Sequence, residues 1–240
     1  MKNDKLILSL IFVVLIFFLN ITNAQSQTTL DLHSSVTTRH YWRGIMVSNS
    51  ANYEGDLVLS INQFKFGAWG GYAFDNEYSE FDLHFGFAIS KHLSIEIWDL
   101  YASRDRASID EYEYFDFDRN STNHLLDASI NYSFGENFPL TICWSSLIWG
   151  RDLDEQNNQN FSSYLEFAYP IKIKDTQIRF YMGTNVFENS LYGDHTNIVN
   201  MGLSASRILK INEHLSLPIW AKMAINPEAE TANLIVGVNF

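Results

Sequence analysis

From about residue 28 to its end, the chain alternates bulky apolar side chains with small or polar ones. Phe64, Phe66, Ala68, Tyr72 and Phe74 alternate with Lys65, Gly67, Trp69 and Gly71. Phe81, Leu83, Phe85, Phe87 and Ile89 alternate with Asp82, His84, Gly86 and Ala88. Leu126, Ala128, Ile130, Tyr132 and Phe134 do the same against Asp127, Ser129, Asn131 and Ser133, as do Leu215, Leu217, Ile219, Ala221 and Met223 against Ser216, Trp220 and Lys222. An extended strand points successive side chains to opposite faces, so each run has one greasy and one polar face. The runs are about ten residues long, the length with which a tilted strand crosses a bilayer.

The pattern divides into about twelve strands. They lie at 28–42, 52–61, 64–75, 78–89, 93–102, 122–134, 138–148, 161–170, 177–187, 196–208, 213–224 and 230–240. Connections after even-numbered strands are tight, as at Asn62-Gln63, Ser90-Lys91-His92 and Gly135-Glu136-Asn137. Several after odd-numbered strands are long and polar, at 43–51, 102–121, 150–160 and 188–195. Outer-membrane barrels sort their loops this way, with short periplasmic turns and longer external loops. The expected fold is therefore all-β: an antiparallel transmembrane barrel with both termini periplasmic. The alternative is a soluble barrel of lipocalin type, whose outer surface would carry more charge than either face does here.

The two ends of the chain point the same way. Lys2 and Lys5 open it, residues 6–19 are apolar apart from Ser9, and Thr22-Asn23-Ala24 offers small residues for cleavage. This reads as a cleavable signal peptide over 1–24, too short for a membrane-spanning helix. The barrel domain then runs over 25–240. At the other end, Leu234-Ile235-Val236-Gly237-Val238-Asn239-Phe240 is an alternating strand that closes on an aromatic residue. It resembles the C-terminal strand of outer-membrane barrels, and that resemblance makes Phe240 a signal for the barrel-assembly machinery.

The formal net charge of −12 argues against nucleic acid, which needs Lys and Arg against phosphate, and against a broad patch for anionic lipid. With one cysteine, Cys143, there is no internal disulfide. Motifs for nucleotide binding, zinc hydrolysis and serine hydrolysis are absent. Ser145 and Ser146 lack a histidine at any defined spacing, so no enzyme, cofactor or metal is expected. An outer-leaflet lipid enzyme is the least favoured reading. The acidic-aromatic run 110–118 reads as a strand extension above the membrane rather than as a calcium loop, because it lacks the glycine and ligand spacing of one.

The stretch Tyr41-Trp42-Arg43-Gly44, with Ser48 following, resembles the TorF-type porin family of bacterial outer-membrane β-barrel proteins. Glu54-Gly55, Gly67-Ala68-Trp69-Gly70 and the run from Glu80 through Asp82 to Gly86 resemble further blocks of that family. The resemblance covers roughly the first hundred residues. It implies an outer-membrane barrel that forms a pore, and it supplies no catalytic residues. The motif residues are Trp42, Arg43, Gly44 and Ser48.

On this reading the polar faces line the lumen. Pore-lining residues are Asp31, His33, Arg39, Asp56, Lys65, Trp69, Asp82, His84, Glu96, Trp98, Asp127, Glu166, Arg179 and Lys222. Turn lengths bring Asp56 opposite Trp69 and His84 opposite Trp98. Those four would stack a planar or sugar-like solute, or else the Trp rings simply fill the space left by glycine. Arg43 falls at the external rim, where it would either bind lipopolysaccharide phosphate as a fixed fork or cap the barrel wall through carbonyls. Trp42, Tyr72, Tyr101, Trp149 and Phe187 fall where an interfacial aromatic girdle belongs. The function expected is a passive channel for small hydrophilic solutes with a weak preference for cations, since acids outnumber bases in the lumen. The alternative is a closed structural barrel whose loops contact other molecules.

Overall fold

The computed structural model describes residues 27–103, 113–189 and 191–240. The proposed signal peptide and residues 110–112 of the acidic run lie outside them. Among the described residues there are fourteen strands and no helix. They are β1 (Thr28–Thr37), β2 (His40–Trp42), β3 (Ile45–Ser48), β4 (Asn52–Ile61), β5 (Phe64–Ala73), β6 (Ser79–Ala88) and β7 (Leu93–Ser103). The second half holds β8 (His124–Ser133), β9 (Thr141–Gly150), β10 (Ser163–Ile173), β11 (Thr176–Asn185), β12 (Ile198–Lys210), β13 (Ser216–Asn226) and β14 (Thr231–Asn239).

Twelve of these close an antiparallel barrel in which each strand pairs with its neighbour in sequence and β1 pairs with both β4 and β14. Closure removes every free edge over the closed part of the wall. The seam is short: β14 meets β1 only from Ser35 to Thr37, whereas β4 follows β1 from Thr28 to Thr37. The first six residues of β1 are accordingly exposed on both faces. β2 and β3 form a separate two-stranded hairpin.

Expected and observed strands agree around the wall, with one difference at its start. The first strand does not run through Trp42. It leaves the wall after Thr37, where the Thr37 hydroxyl donates to Arg39 O at 2.6 Å and accepts from Arg39 N at 3.2 Å, bending the chain inward. Alternation continues through His40 and Trp42, so periodicity alone could not mark the departure.

Tight turns gather at one end, as at Asn62-Gln63 and Lys174-Asp175, where Asn62 and Lys174 adopt φ of 54° and 53°. The long connections gather at the other end. The outward face is apolar: Leu30, Leu32, Leu57, Phe66, Phe81, Leu83, Ile97, Ile130, Phe180, Met182, Met223 and Leu234 are all solvent-accessible on it. Asp99 is the one carboxylate on the outward register of the described strands. The packed apolar core lies inside the loop end, where Leu100, Leu125 and Leu147 form one cluster and Tyr164, Tyr192 and Val199 form another.

Candidate functional site

The interior is organised by the β2–β3 hairpin. Its turn is Trp42-Arg43-Gly44-Ile45, with φ of 46° at Arg43 and 93° at Gly44. Two central residues with positive φ make a type I′ turn, whose twist matches the strands it joins. The turn points into the barrel rather than out of it. A Cβ on Gly44 would lie 2.2 Å from Val199 O, and Gly44 O accepts from Asn226 Nδ2 at 3.1 Å. Only glycine fits both the backbone angle and the approach to the β12 wall.

Trp42 packs against both interior apolar clusters, with Ile45 joining one of them and Val47 packing on Ala73, Tyr78 and Ala102. The hairpin thus contributes apolar side chains to each of these three clusters, and burial of these side chains holds it inside. Ser48 closes the hairpin opposite His40. Trp42 therefore belongs to the plug of the barrel and not to a girdle. Tyr72 and Phe187 are exposed at the loop end, as a girdle would place them, whereas Tyr101 is covered by Tyr114 at 4.9 Å between ring centroids.

Arg43 is not at the rim. Its Nη2 donates to Asp127 Oδ2 at 2.5 Å and to Ser145 Oγ at 2.8 Å, and Nη1 lies 3.5 Å from the Tyr192 hydroxyl. The guanidinium sits 4.7 Å from the Trp42 ring and 5.6 Å from the Tyr164 ring. A buried guanidinium is tolerable only when its charge is matched and its donors are used. Here a carboxylate on β8, a hydroxyl on β9 and two aromatic faces do this. The side chain is thereby out of reach of lipopolysaccharide.

Of the residues expected to line the pore, Asp31, His33, Asp56, Lys65, Trp69, Asp82, His84, Glu96, Trp98, Asp127, Glu166, Arg179 and Lys222 all sit on the inward register of their strands. Arg39 sits off the wall and reaches Asn233 Oδ1 at 3.0 Å. The turn arithmetic holds: Asp56 pairs with Trp69 and His84 with Trp98. His84 stacks on Trp98 with centroids 4.0 Å apart and touches Asp56 Oδ1 at 2.9 Å through Nε2. That ring crosses Gly67, where a Cβ would lie 2.0 Å from Nε2, and Trp69 covers Gly71 in the same way. The space-filling reading of the Trp rings therefore describes Trp69, and at Gly67 it is His84 rather than a Trp that covers the glycine.

On the opposite wall Arg179 pairs with Glu166 at 2.6 Å. Lys222 lies 5.1 Å from the Tyr41 ring and 4.9 Å from that of Tyr181. Sequence reasoning passed over Glu54 and Glu80 as lumen groups. Both share a face with a residue it had chosen, two positions before Asp56 and Asp82, so the signal was present. Glu54 pairs with His40 at 2.8 Å, and Glu80 accepts the Tyr78 hydroxyl. Tyr164, Tyr192 and Ser145 were also passed over, because nothing in their spacing shows that a hairpin will arrive between them.

Three cavities follow the barrel axis. The one at the turn end measures about 540 Å³ and is lined by Lys65, Glu96, Asn131, Cys143 and Arg179 among others. The central one, about 350 Å³, shares Glu96, Asn131 and Cys143 with it. The cavity at the loop end, about 580 Å³, is lined by Arg39, Asn226 and Asn233 among others. Arg43 alone lines both the central cavity and the one at the loop end.

The described part of the β7–β8 connection is not a strand extension. It folds as turns against the outer wall, with Tyr114 5.9 Å from Phe81 and Phe117 stacked on His124 at 4.8 Å. Burial raises the Tyr114 pKa. A Ser121 hydrogen bond, with the Asp118 N–H, lowers that of Asp116.

No family model and no curated protein matches this sequence. Among solved structures the chain is similar to a triple mutant of the Rhodopseudomonas blastica porin, with a TM-score of 0.39 and 10% identity over 79% of this chain and 55% of that one. It is also similar to a double variant of OccD1 (OprD), with a TM-score of 0.37 and 11% identity over 88% of this chain and 65% of that one. This chain thus spans about half the length of the first of these. At TM-scores below 0.5, neither likeness carries residue roles or function to this chain.

Proposed function

We propose that the protein is an outer-membrane barrel that admits small hydrophilic solutes to its lumen and restricts their passage at the β2–β3 hairpin. The observation that carries this reading is the row of cavities along the axis, in which the central cavity and the one at the loop end meet at Arg43. An apolar outer wall around a polar interior is the arrangement a bilayer requires of a spanning barrel. The resemblance at Trp42-Arg43-Gly44 agrees with it.

In this reading the signal peptide exports the chain and Phe240 presents the last strand to the assembly machinery. The turn end then faces the periplasm, with both termini. The acids of the lumen give a weak preference for cations, reduced as salt screens them. A second reading, a barrel closed by the hairpin, is favoured by the Arg43–Asp127 contact itself.

Conductance of the purified protein in planar bilayers separates the two. Passage predicts small steps for the native chain and larger ones for Arg43→Ala. If both proteins leave the bilayer sealed, the closed barrel is the better account. Reversal potentials in a salt gradient check the sign, and anion selectivity would place control with Lys65, Arg179 and Lys222.

A further inference from the structure

We propose that the central cavity is a binding site for a monovalent organic cation, an alkylated ammonium. The proposal rests on the lumen being open to solute from at least one end, and it names the class of solute. Glu54, Glu80, Asp82, Glu96 and Asp127 all line this cavity. His40 faces Glu54 at 2.8 Å and Arg43 faces Asp127 at 2.5 Å. The other three have no basic group within ion-pairing distance among the described residues. Their hydrogen-bond donors are neutral: the Tyr78 hydroxyl to Glu80, the Tyr101 N–H to Asp82 at 3.0 Å and the Trp98 indole N–H to Glu96 at 3.3 Å. Asp82 is 3% exposed and hydrogen-bonds Glu80, so those two carboxyls share a proton and carry one charge between them. Asp127 Oδ1 is buried with no hydrogen-bond partner.

An independent feature points to the kind of cation. Trp69 and Trp98 line the same space, with Trp42 beside them under the Arg43 guanidinium. Indole is the strongest aromatic partner for a cation, and rings grouped around a cavity suit a charge spread over alkyl groups. Trp98 is held by stacking on His84, so its orientation is set before a solute arrives. A bare metal ion would need carboxylate oxygens that converge. Among the described residues no group of three or more potential ligands is placed to hold one. The negative charges instead surround a volume of about 350 Å³, which accommodates a tetraalkylammonium and exceeds what one bare ion fills. Anions are repelled by the same carboxylates.

The test is titration of the full-length mature protein in detergent micelles, read by tryptophan fluorescence. The probe is tetramethylammonium chloride, with sodium chloride at equal ionic strength and tert-butanol as controls. The expected result is a saturable change with tetramethylammonium alone. Affinity should fall at least tenfold in Glu80→Gln/Glu96→Gln, and severalfold in Trp98→Phe, which keeps the packing. Heat-modified gel migration checks that each variant folds. The titration is repeated on Arg43→Ala, where access from the loop end is wider. No saturable signal in either protein, an equal response to sodium or tert-butanol, or an unchanged affinity in the double variant would each overturn the proposal. Because binding in micelles needs no conduction, a sealed bilayer with intact binding defeats passage and leaves this site standing. A conducting protein without binding defeats the site alone.

Discussion

His124 Nδ1 lies 2.7 Å from Asp99 Oδ1 on the outside of the barrel, on a face otherwise apolar at mid-strand. His124 is fully buried because Tyr114 and Phe117 lie over it, and its Nε2 meets Tyr114 O at 2.6 Å. A polar pair at this position would otherwise face the hydrophobic exterior, so covering it is what makes it tolerable.

That arrangement predicts a split between two substitutions. His124→Phe keeps the ring contacts and loses both polar ones. His124→Ala loses both kinds and should cost about 1–3 kcal/mol more than an exposed loop substitution, the scale of leaving a buried polar partner unsatisfied. Limited proteolysis of the β7–β8 connection is the readout. It should be cut fastest in the Ala variant and at an intermediate rate in the Phe variant. Equal cutting in all three proteins would mean that the loop is not held by this histidine.

The Arg43–Asp127 contact predicts strong non-additivity. Removing Arg43 alone leaves a buried carboxylate, and removing Asp127 alone leaves a buried guanidinium. Each should cost about 3–5 kcal/mol. The double variant Arg43→Ala/Asp127→Ala should be closer to the native protein than the sum of the singles. Urea midpoints of the folded form in micelles provide the comparison. Additive losses would show that the two side chains are not coupled.

The fold was legible because the wall obeys one rule at every strand, and a period of two needs no knowledge of neighbours. The inward register of Asp56, His84, Glu96 and Lys222 follows from that rule and from turn lengths. The hairpin was not legible. His40, Tyr41 and Trp42 keep the alternation of the wall they have left, and nothing local tells a strand in the wall from one inside it. The clue was chemical: Arg43-Gly44 is a turn pair with one residue that tolerates positive φ, and turns of that type close tight hairpins. Long-range partners such as Asp127 and Val199 cannot be read from that dipeptide.

Gly44 carries a third prediction. Gly44→Val would set a branched side chain at φ 93° with its Cβ 2.2 Å from Val199 O, so the hairpin cannot seat. The barrel wall does not depend on that residue and should still form. The expected outcome is a heat-modifiable barrel with raised conductance and with Trp42 fluorescence shifted to the red, as the ring leaves the core made by Leu100, Leu125 and Leu147. A Val variant with native fluorescence and conductance would mean that the turn does not require glycine.

The last prediction concerns acid. Asp154 sits in the β9–β10 connection, where the Asn158 N–H reaches its Oδ1 at 2.7 Å, the Gln156 N–H reaches the same oxygen at 2.8 Å and the Asn158 amide reaches Oδ2 at 3.1 Å. The backbone hydrogen bond from Asn158 is the largest cause holding this carboxyl below its ordinary value of 3.8. A depressed carboxylate stabilises the folded loop fully above the unfolded value, and that contribution is lost as pH falls through the folded one. The turn should therefore be intact at neutral pH and open only below about pH 4. Amide resonances of Gln156 and Asn158 should move together with a midpoint below 3.8, and Asp154→Ala should abolish the transition. A midpoint at or above the ordinary aspartate value would show that these hydrogen bonds do not favour the ionised form.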